Sequence, residues 1–235
     1  MAKAELGIIL QDLRGKAGNA VFQKGKDGIV VRPRVSGSNP NTPAQQAVRA
    51  AFTKAAKQWG TFTANQVAGW NNYALTVNHS NSVNGKSYHP NGFNAFTELA
   101  SKFYQANPTG TAPTTPPTTS FTGDTITVTA ATSTGKVTFT ASAANATNVS
   151  TEFFLQPLKN ANRKPQKNGY RTKGYFHFAS GTLTFDVTTP AGYYAAGYRF
   201  INTLTGQTSE THYLSVQQVT LSVEVSNTEK QRKAA

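Results

Sequence analysis

Apolar and polar residues follow three different rhythms along this chain. Before residue 39, short apolar pieces are separated by glycines; between 42 and 106 apolar residues recur every three or four positions; from 121 onward they alternate with polar ones. The middle segment reads as helical. Thr42 as N-cap, Pro43 at the first helical position and Gln45 two residues on form a helix start of the capping-box kind. Val48, Phe52, Ala55 and Trp59 then make one stripe, and Gly60 ends it. Thr63-Ala64-Asn65-Gln66 is a second capping box, leading into Val67, Trp70, Ala74 and Val77. After a loop from Asn78 to Asn91, a third stripe carries Phe93, Phe96, Leu99 and Phe103 and ends near Ala106. Residues 39–106 are therefore expected to form a small helical module.

Residues 107–120 hold Pro108, Pro113, Pro116 and Pro117 among Thr and Gly, a composition expected to act as a semi-rigid linker. Beyond it, strands are predicted at Thr125–Thr129, Lys136–Thr140, Thr151–Leu155, Tyr170–Phe178, Thr182–Val187, Tyr193–Asn202 and Tyr213–Val225. Short strands joined by Gly, Asn and Pro turns fit an immunoglobulin-like or fibronectin-III-like β-sandwich over 121–225. The polar, basic residues 226–235 are expected to be a disordered tail. At the other end, 1–38 reads as an extended basic arm containing a β-hairpin from about Asn19 to Arg34, turning at Asp27-Gly28. That hairpin has too little apolar surface to stand alone and must pack on its own chain or on a neighbour. The expected fold class is α+β: hairpin arm, helical module, Pro/Thr-rich linker, C-terminal sandwich.

Composition changes this picture in two ways. Only 37% of the residues are hydrophobic, so the 14 Phe, 9 Tyr and 2 Trp must supply much of the core. There are no cysteines, which removes disulfides, thiolate metal sites and cysteine nucleophiles together. The segment from Met1 to Leu10 lacks the long apolar region and cleavage site of a secretory signal, and no apolar run approaches the roughly 20 residues of a membrane span. A soluble chain with no membrane partner is expected.

Constellations for catalysis are missing from the sequence. His79, His89, His177 and His212 show no metal-ligand spacing, and no two of the ten carboxylates are placed for acid–base work. There is no P-loop, dinucleotide fingerprint or G-x-S-x-G elbow. The expectation is a non-enzymatic protein with no catalytic, cofactor-binding or metal-binding residues, no cofactor and no small-molecule substrate. A glycan-binding face using Tyr193, Tyr194, Tyr198 and Tyr213 is a further reading, ranked last because tyrosines at strand spacing more often pack in a sheet.

Charge points to a partner instead. The chain has 23 Lys+Arg against 10 Asp+Glu, a net +13, which favours an acidic surface. One basic region spans the arm and first helix, with Arg14, Lys16, Lys24, Lys26, Arg32 and Arg34 as candidate partner-binding residues and Arg49, Lys54 and Lys57 beyond them. The second is a loop or hairpin tip carrying Lys159, Arg163, Lys164, Lys167, Arg171 and Lys173 with no acid among them. Protein carboxylates and nucleic-acid phosphates both satisfy such sites, and a plain solubilising role is the bland alternative. The arm could also add strands to a neighbour's sheet edge, or fold back over its own helices.

Several spaced residues carry a resemblance. Gly18-Asn19-Ala20-Val21-Phe22, Val30-Val31-Arg32, Asn39-Pro40-Asn41-Thr42-Pro43-Ala44-Gln45, Val48-Arg49 and Phe52 form one set. Trp59, Phe62-Thr63-Ala64-Asn65-Gln66, Trp70-Asn71-Asn72-Tyr73-Ala74 and Gly92-Phe93-Asn94-Ala95-Phe96 continue it, over about residues 15 to 105. This pattern resembles structural proteins of tailed bacteriophages and related prophage regions. The resemblance implies a virion component of head decoration, cement, connector or tail type, located in particles assembled in the bacterial cytoplasm. Its partners would be major capsid or other virion subunits, met in many copies. It carries over no catalytic residues.

Overall fold

A computed structural model describes residues 2–4, 13–25, 28–35, 37, 39–80 and 87–220. Among the described residues the fold is mixed α+β, with three α-helices and several antiparallel sheets. The chain divides into two compact units, Met1–Pro43 and Ala44–Ala235.

In the first unit, strands β1 (Ala2–Ala4), β2 (Gly15–Ala17), β3 (Ala20–Gly25) and β4 (Gly28–Pro33) form one sheet in the order β1-β4-β3-β2. Where the sequence points to a two-stranded hairpin in an extended arm, two more strands flank it. The addition answers the hairpin's shortage of partners for its backbone and apolar groups. Gly18, at φ 55°, makes the tight link from β2 to β3. Register sets the two faces: Phe22 lies opposite Gly15 and Val31, and Val21 lies opposite Lys16 and Arg32. One face therefore gathers Ala20, Phe22, Ile29 and Val31, with Ile29 buried, while the other carries Lys16 and Arg32.

The second unit begins with α1 (Pro43–Trp59), α2 (Ala64–Ala74), a small ribbon of β5 (His79–Ser80) and β6 (Ser87–Tyr88), and α3 (Gly92–Ala106). The α2 start is a reciprocal capping box: the Gln66 amide donates to Thr63 Oγ1 at 3.4 Å and the Thr63 amide to Gln66 Oε1 at 2.8 Å. Asn91 caps α3 by accepting from the Asn94 amide at 2.7 Å. Trp70 and Phe96 are the buried centre of the helical core, their rings 5.1 Å apart edge to face. The α1 stripe departs from expectation. Its buried residues are Ala51 and Ala55, whereas Val48 and Phe52 are each 50% exposed. The second half of the stripe holds, with Ala55 buried and Trp59 packed on the core against Phe96, while Ala51 takes the place of Val48 and Phe52.

Within residues 107–120, expected to be a spacer, the carbonyls of Pro108, Gly110, Ala112 and Thr114 are bonded to the helices. Trp70 Nε1–H donates to the Thr114 carbonyl at 2.9 Å, Gln58 Nε2–H to Ala112 at 2.6 Å, and Lys54 Nζ to Pro108 and Gly110 at 2.9 and 2.8 Å. Prolines deprive this stretch of ladder donors but leave its carbonyls free to accept, and side chains of α1 and α2 satisfy them.

Seven strands follow: β7 (Val128–Ser133), β8 (Lys136–Ala141), β9 (Val149–Leu158), β10 (Arg171–Phe176), β11 (Thr184–Thr188), β12 (Gly192–Asn202) and β13 (His212–Val219). They form a four-stranded sheet, β10-β9-β12-β13, and a three-stranded sheet, β11-β8-β7, all antiparallel. Val137 and Phe139 from the smaller sheet and Phe153, Leu155, Tyr198 and Phe200 from the larger share one apolar core. β7 starts three residues later than its alternation suggests and runs on to a turn at Gly135, φ 69°, where Ser133 faces Lys136. Residues beyond 220, including the end of the last predicted strand and the tail, lie outside the described residues. Helices and sheets of this unit touch closely at Gly206, where an added Cβ would meet the Leu99 carbonyl oxygen of α3 at 2.1 Å.

Candidate interaction surface

Glu152 lies in β9, within an apolar run, and is fully buried. Register places Tyr175 of β10 and Arg199 of β12 directly beside it, one on each side. Its Oε2 accepts from Arg199 Nε at 2.7 Å, with Nη2 at 2.6 Å, while Oε1 accepts from Lys102 Nζ at 3.2 Å, Thr172 Oγ1 at 2.7 Å and the Tyr175 hydroxyl at 3.0 Å. Burial by itself would raise this carboxyl; the charges of Lys102 and Arg199 and the hydrogen bonds to it prevail and hold it below its ordinary value. Burial lowers the Lys102 ammonium, partly offset by Glu152. Burial, reinforced by the Glu152 charge, pushes the Tyr175 hydroxyl well up. Lys102 comes from α3, so this cluster joins the helical core to the large sheet. The sequence offered one signal for it: a lone carboxylate within a strand of apolar residues.

Above this cluster lies a cleft of about 740 Å³ between the first turns of α1 and strand β10. Ala47, Val48 and Ala51 line one wall; Tyr170, Gly174 and Tyr175 line the other. Arg49, Lys54, Arg171 and Lys173 also line it. Lys54 sits 4.3 Å from the centre of the Tyr104 ring, with its ammonium on the neutral Pro108 and Gly110 carbonyls. Arg171 donates to the carbonyls of Asn168 and Tyr170 at 2.9 and 3.1 Å. Among the described residues, no ion pair joins Lys54, Arg171 or Lys173 to a carboxylate.

The twelve predicted partner-binding residues are divided between the two units. Within the first unit, Lys16 and Arg32 share a sheet face, Lys24 lies opposite Ile29 on the other, and Arg14 precedes β2. Arg34 follows β4, its amide donating to the Asn19 carbonyl at 2.7 Å. Lys26 lies outside the described residues. In the second unit, Lys159, Arg163 and Lys164 are exposed on the connection after β9, and Lys167 occupies a 3-10 turn, Lys167–Gly169. Gln156 anchors that connection by accepting from the Gln166 amide at 3.1 Å. Of these second-unit residues, Arg171 and Lys173 line the cleft, where the fold brings them to Arg49 and Lys54. Sequence reading missed the cleft because its walls are more than a hundred residues apart and its α1 wall looked like a core stripe.

The remaining polar candidates have local partners. His79 Nε2 lies 3.1 Å from Glu98, His89 and His177 donate to the Val77 and Val149 carbonyls at 2.7 and 2.6 Å, and His212 stacks on Tyr198. Tyr194 and Tyr198 are buried, their hydroxyls bonded to the Pro190 carbonyl and the Val128 amide, while Tyr213 is half exposed against Tyr170. The four tyrosines thus do not make a common face. Among the described residues, no group of three His, Cys, Asp or Glu side chains is placed to hold a metal, and no helix is long and apolar enough to cross a membrane. Compared with known proteins, the chain matches no family model and no curated sequence.

Proposed function

We propose that this chain is a non-enzymatic structural component of a tailed-bacteriophage virion, of cement or decoration type, that binds neighbouring capsid or tail subunits. The observation carrying this reading is the pairing of exposed apolar residues on α1, Val48 and Phe52, with Lys54, Arg171 and Lys173 at the adjoining cleft, which form no ion pair with any described carboxylate. A surface of this kind is made to be covered by another macromolecule. The pattern over about residues 15–105 supplies the phage context. On this reading the two sheets of the second unit, with their shared aromatic core, are an immunoglobulin-like sandwich that presents or bridges subunits, and the basic first unit docks on an acidic lattice. Nucleic-acid phosphates are the alternative target of the cations, with affinity falling steeply as salt rises.

A cryo-electron microscopy map of particles from the source, searched for this chain, tests the proposal. Density for the chain between or upon capsid or tail subunits is the expected result. A well-resolved particle without it would overturn the virion reading, and salt-sensitive, sequence-indifferent binding of duplex DNA would then favour the alternative.

A further inference from the structure

We infer that the α1–β10 cleft is a docking groove for an acidic segment of a partner protein that also carries large apolar side chains. The inference rests on the subunit-binding reading above and names the surface and the chemistry of its occupant.

Three features select this occupant. The α1 wall is built from Ala44, Ala47, Val48 and Ala51, which leaves room for bulky side chains, and Phe52 extends the apolar surface on the same helix. The cations Lys54, Arg171 and Lys173 are satisfied by neutral carbonyls or by none of the described carboxylates, so carboxylates on the occupant would complement them. Glu152, the acid nearest the Tyr175 wall, is wholly engaged by its own buried cluster and cannot fold outward to neutralise them.

The same features disfavour other occupants. A second copy carries a net +13 and would bring mainly like charge to a cationic rim. Nucleic acid would use the cations but leave an alanine and valine wall facing a polar backbone. A small-metabolite site aims a few fixed polar groups at its ligand, whereas here the hydroxyls of Tyr104, Thr172 and Tyr175 are engaged by Gln58 and Glu152 and the charges belong to long side chains. Strand addition is opposed by β10 itself: it is an edge strand whose register shifts between Thr172 and Gly174, with Lys173 the extra residue and Arg171 just before the irregularity. The occupant therefore docks through side chains.

The test is a fluorescence titration of the full chain with a labelled synthetic peptide in which Asp and Glu alternate with Leu and Phe. Its comparison peptides replace the acids by Asn and Gln, or the apolar residues by Ser. Saturable binding, weakened about tenfold or more by either peptide change and by Arg171→Glu/Lys173→Glu, is expected. Val48→Asp should weaken it similarly, and Lys159→Glu/Lys164→Glu, outside the cleft, should leave it within about twofold. Circular dichroism confirms that each variant folds. No binding, equal binding of the neutral peptide, or indifference to the cleft variants overturns the inference. So does duplex DNA bound in place of the peptide with the same dependence on Arg171 and Lys173. A self-association removed by Val48→Asp would assign the groove to a second copy, and also overturns it. Because the titration uses the isolated chain, it can fail while the particle map shows the chain in the virion, and it can succeed while that map does not.

Discussion

Glu152 and Arg199 face each other in adjacent strands, and two guanidinium nitrogens of Arg199 converge on one oxygen of Glu152, at 2.7 and 2.6 Å. That leaves the other oxygen for Lys102, Thr172 and Tyr175, so a fully buried carboxylate has every contact it needs. The pair does not need to be strongly stabilising to be costly to break.

Glu152→Gln should destabilise the second unit by about 3–5 kcal/mol, because it strands two partly buried cations without their counter-charge. Chemical denaturation followed by tryptophan fluorescence measures this. Glu152→Gln with Lys102→Met should recover part of the loss, since one stranded cation is removed with the acid.

The same carboxyl gives the fold a pH dependence. Glu152 is held below its ordinary value of 4.5 in the folded chain. Its contribution is then complete where folded and unfolded forms are both ionised, above that value, and is lost as pH falls through the lower folded value. Stability of the wild type should therefore drop on acidification below about pH 4.5, and the drop should be shallower in Glu152→Gln. Equal slopes in the two proteins would show that Glu152 does not control this range.

Gly206→Ala should be disruptive although the residue lies in a loop. Its φ of 78° disfavours a side chain, and the added Cβ would meet the Leu99 carbonyl oxygen of α3 at 2.1 Å. A loss of at least about 1–3 kcal/mol is expected, read as a lower thermal midpoint. A neutral result would mean that α3 and this loop can separate without cost.

Trp70→Phe removes the donor to the Thr114 carbonyl while keeping most of the ring. It should cost about 1–2 kcal/mol and speed proteolysis between residues 107 and 120. Unchanged protection there would show that Gln58 and Lys54 hold the segment without Trp70.

On α1, Phe52→Ser should change stability by no more than about 0.5 kcal/mol. Ala55→Leu should cost about 1–3 kcal/mol by overpacking, because Ala55 is wholly buried. The reverse order would restore Phe52 to the core.

What the sequence determined by itself was local. Thr63 and Gln66 announce a helix start because a capping box closes within four residues, and Pro43 stands at the first position of α1 because its fixed φ suits that site. Alternation in Lys136–Ala141 and Gly192–Asn202 marks strands because side chains switch faces at every residue. Tertiary structure decided everything that depends on which distant surfaces meet. Val48, Phe52, Ala55 and Trp59 have the spacing of a core stripe, yet only Ala55 and Trp59 meet the core built around Trp70 and Phe96, while Ala51 is buried and Val48 and Phe52 stay half exposed. The prolines of 107–120 suggest a spacer, but helix donors capture the carbonyls they leave open. Charge counting found Arg171 and Lys173; only folding set them beside Arg49 and Lys54 around an apolar cleft. Periodicity reports the backbone's own geometry, whereas burial and charge pairing belong to contacts between residues far apart in the chain.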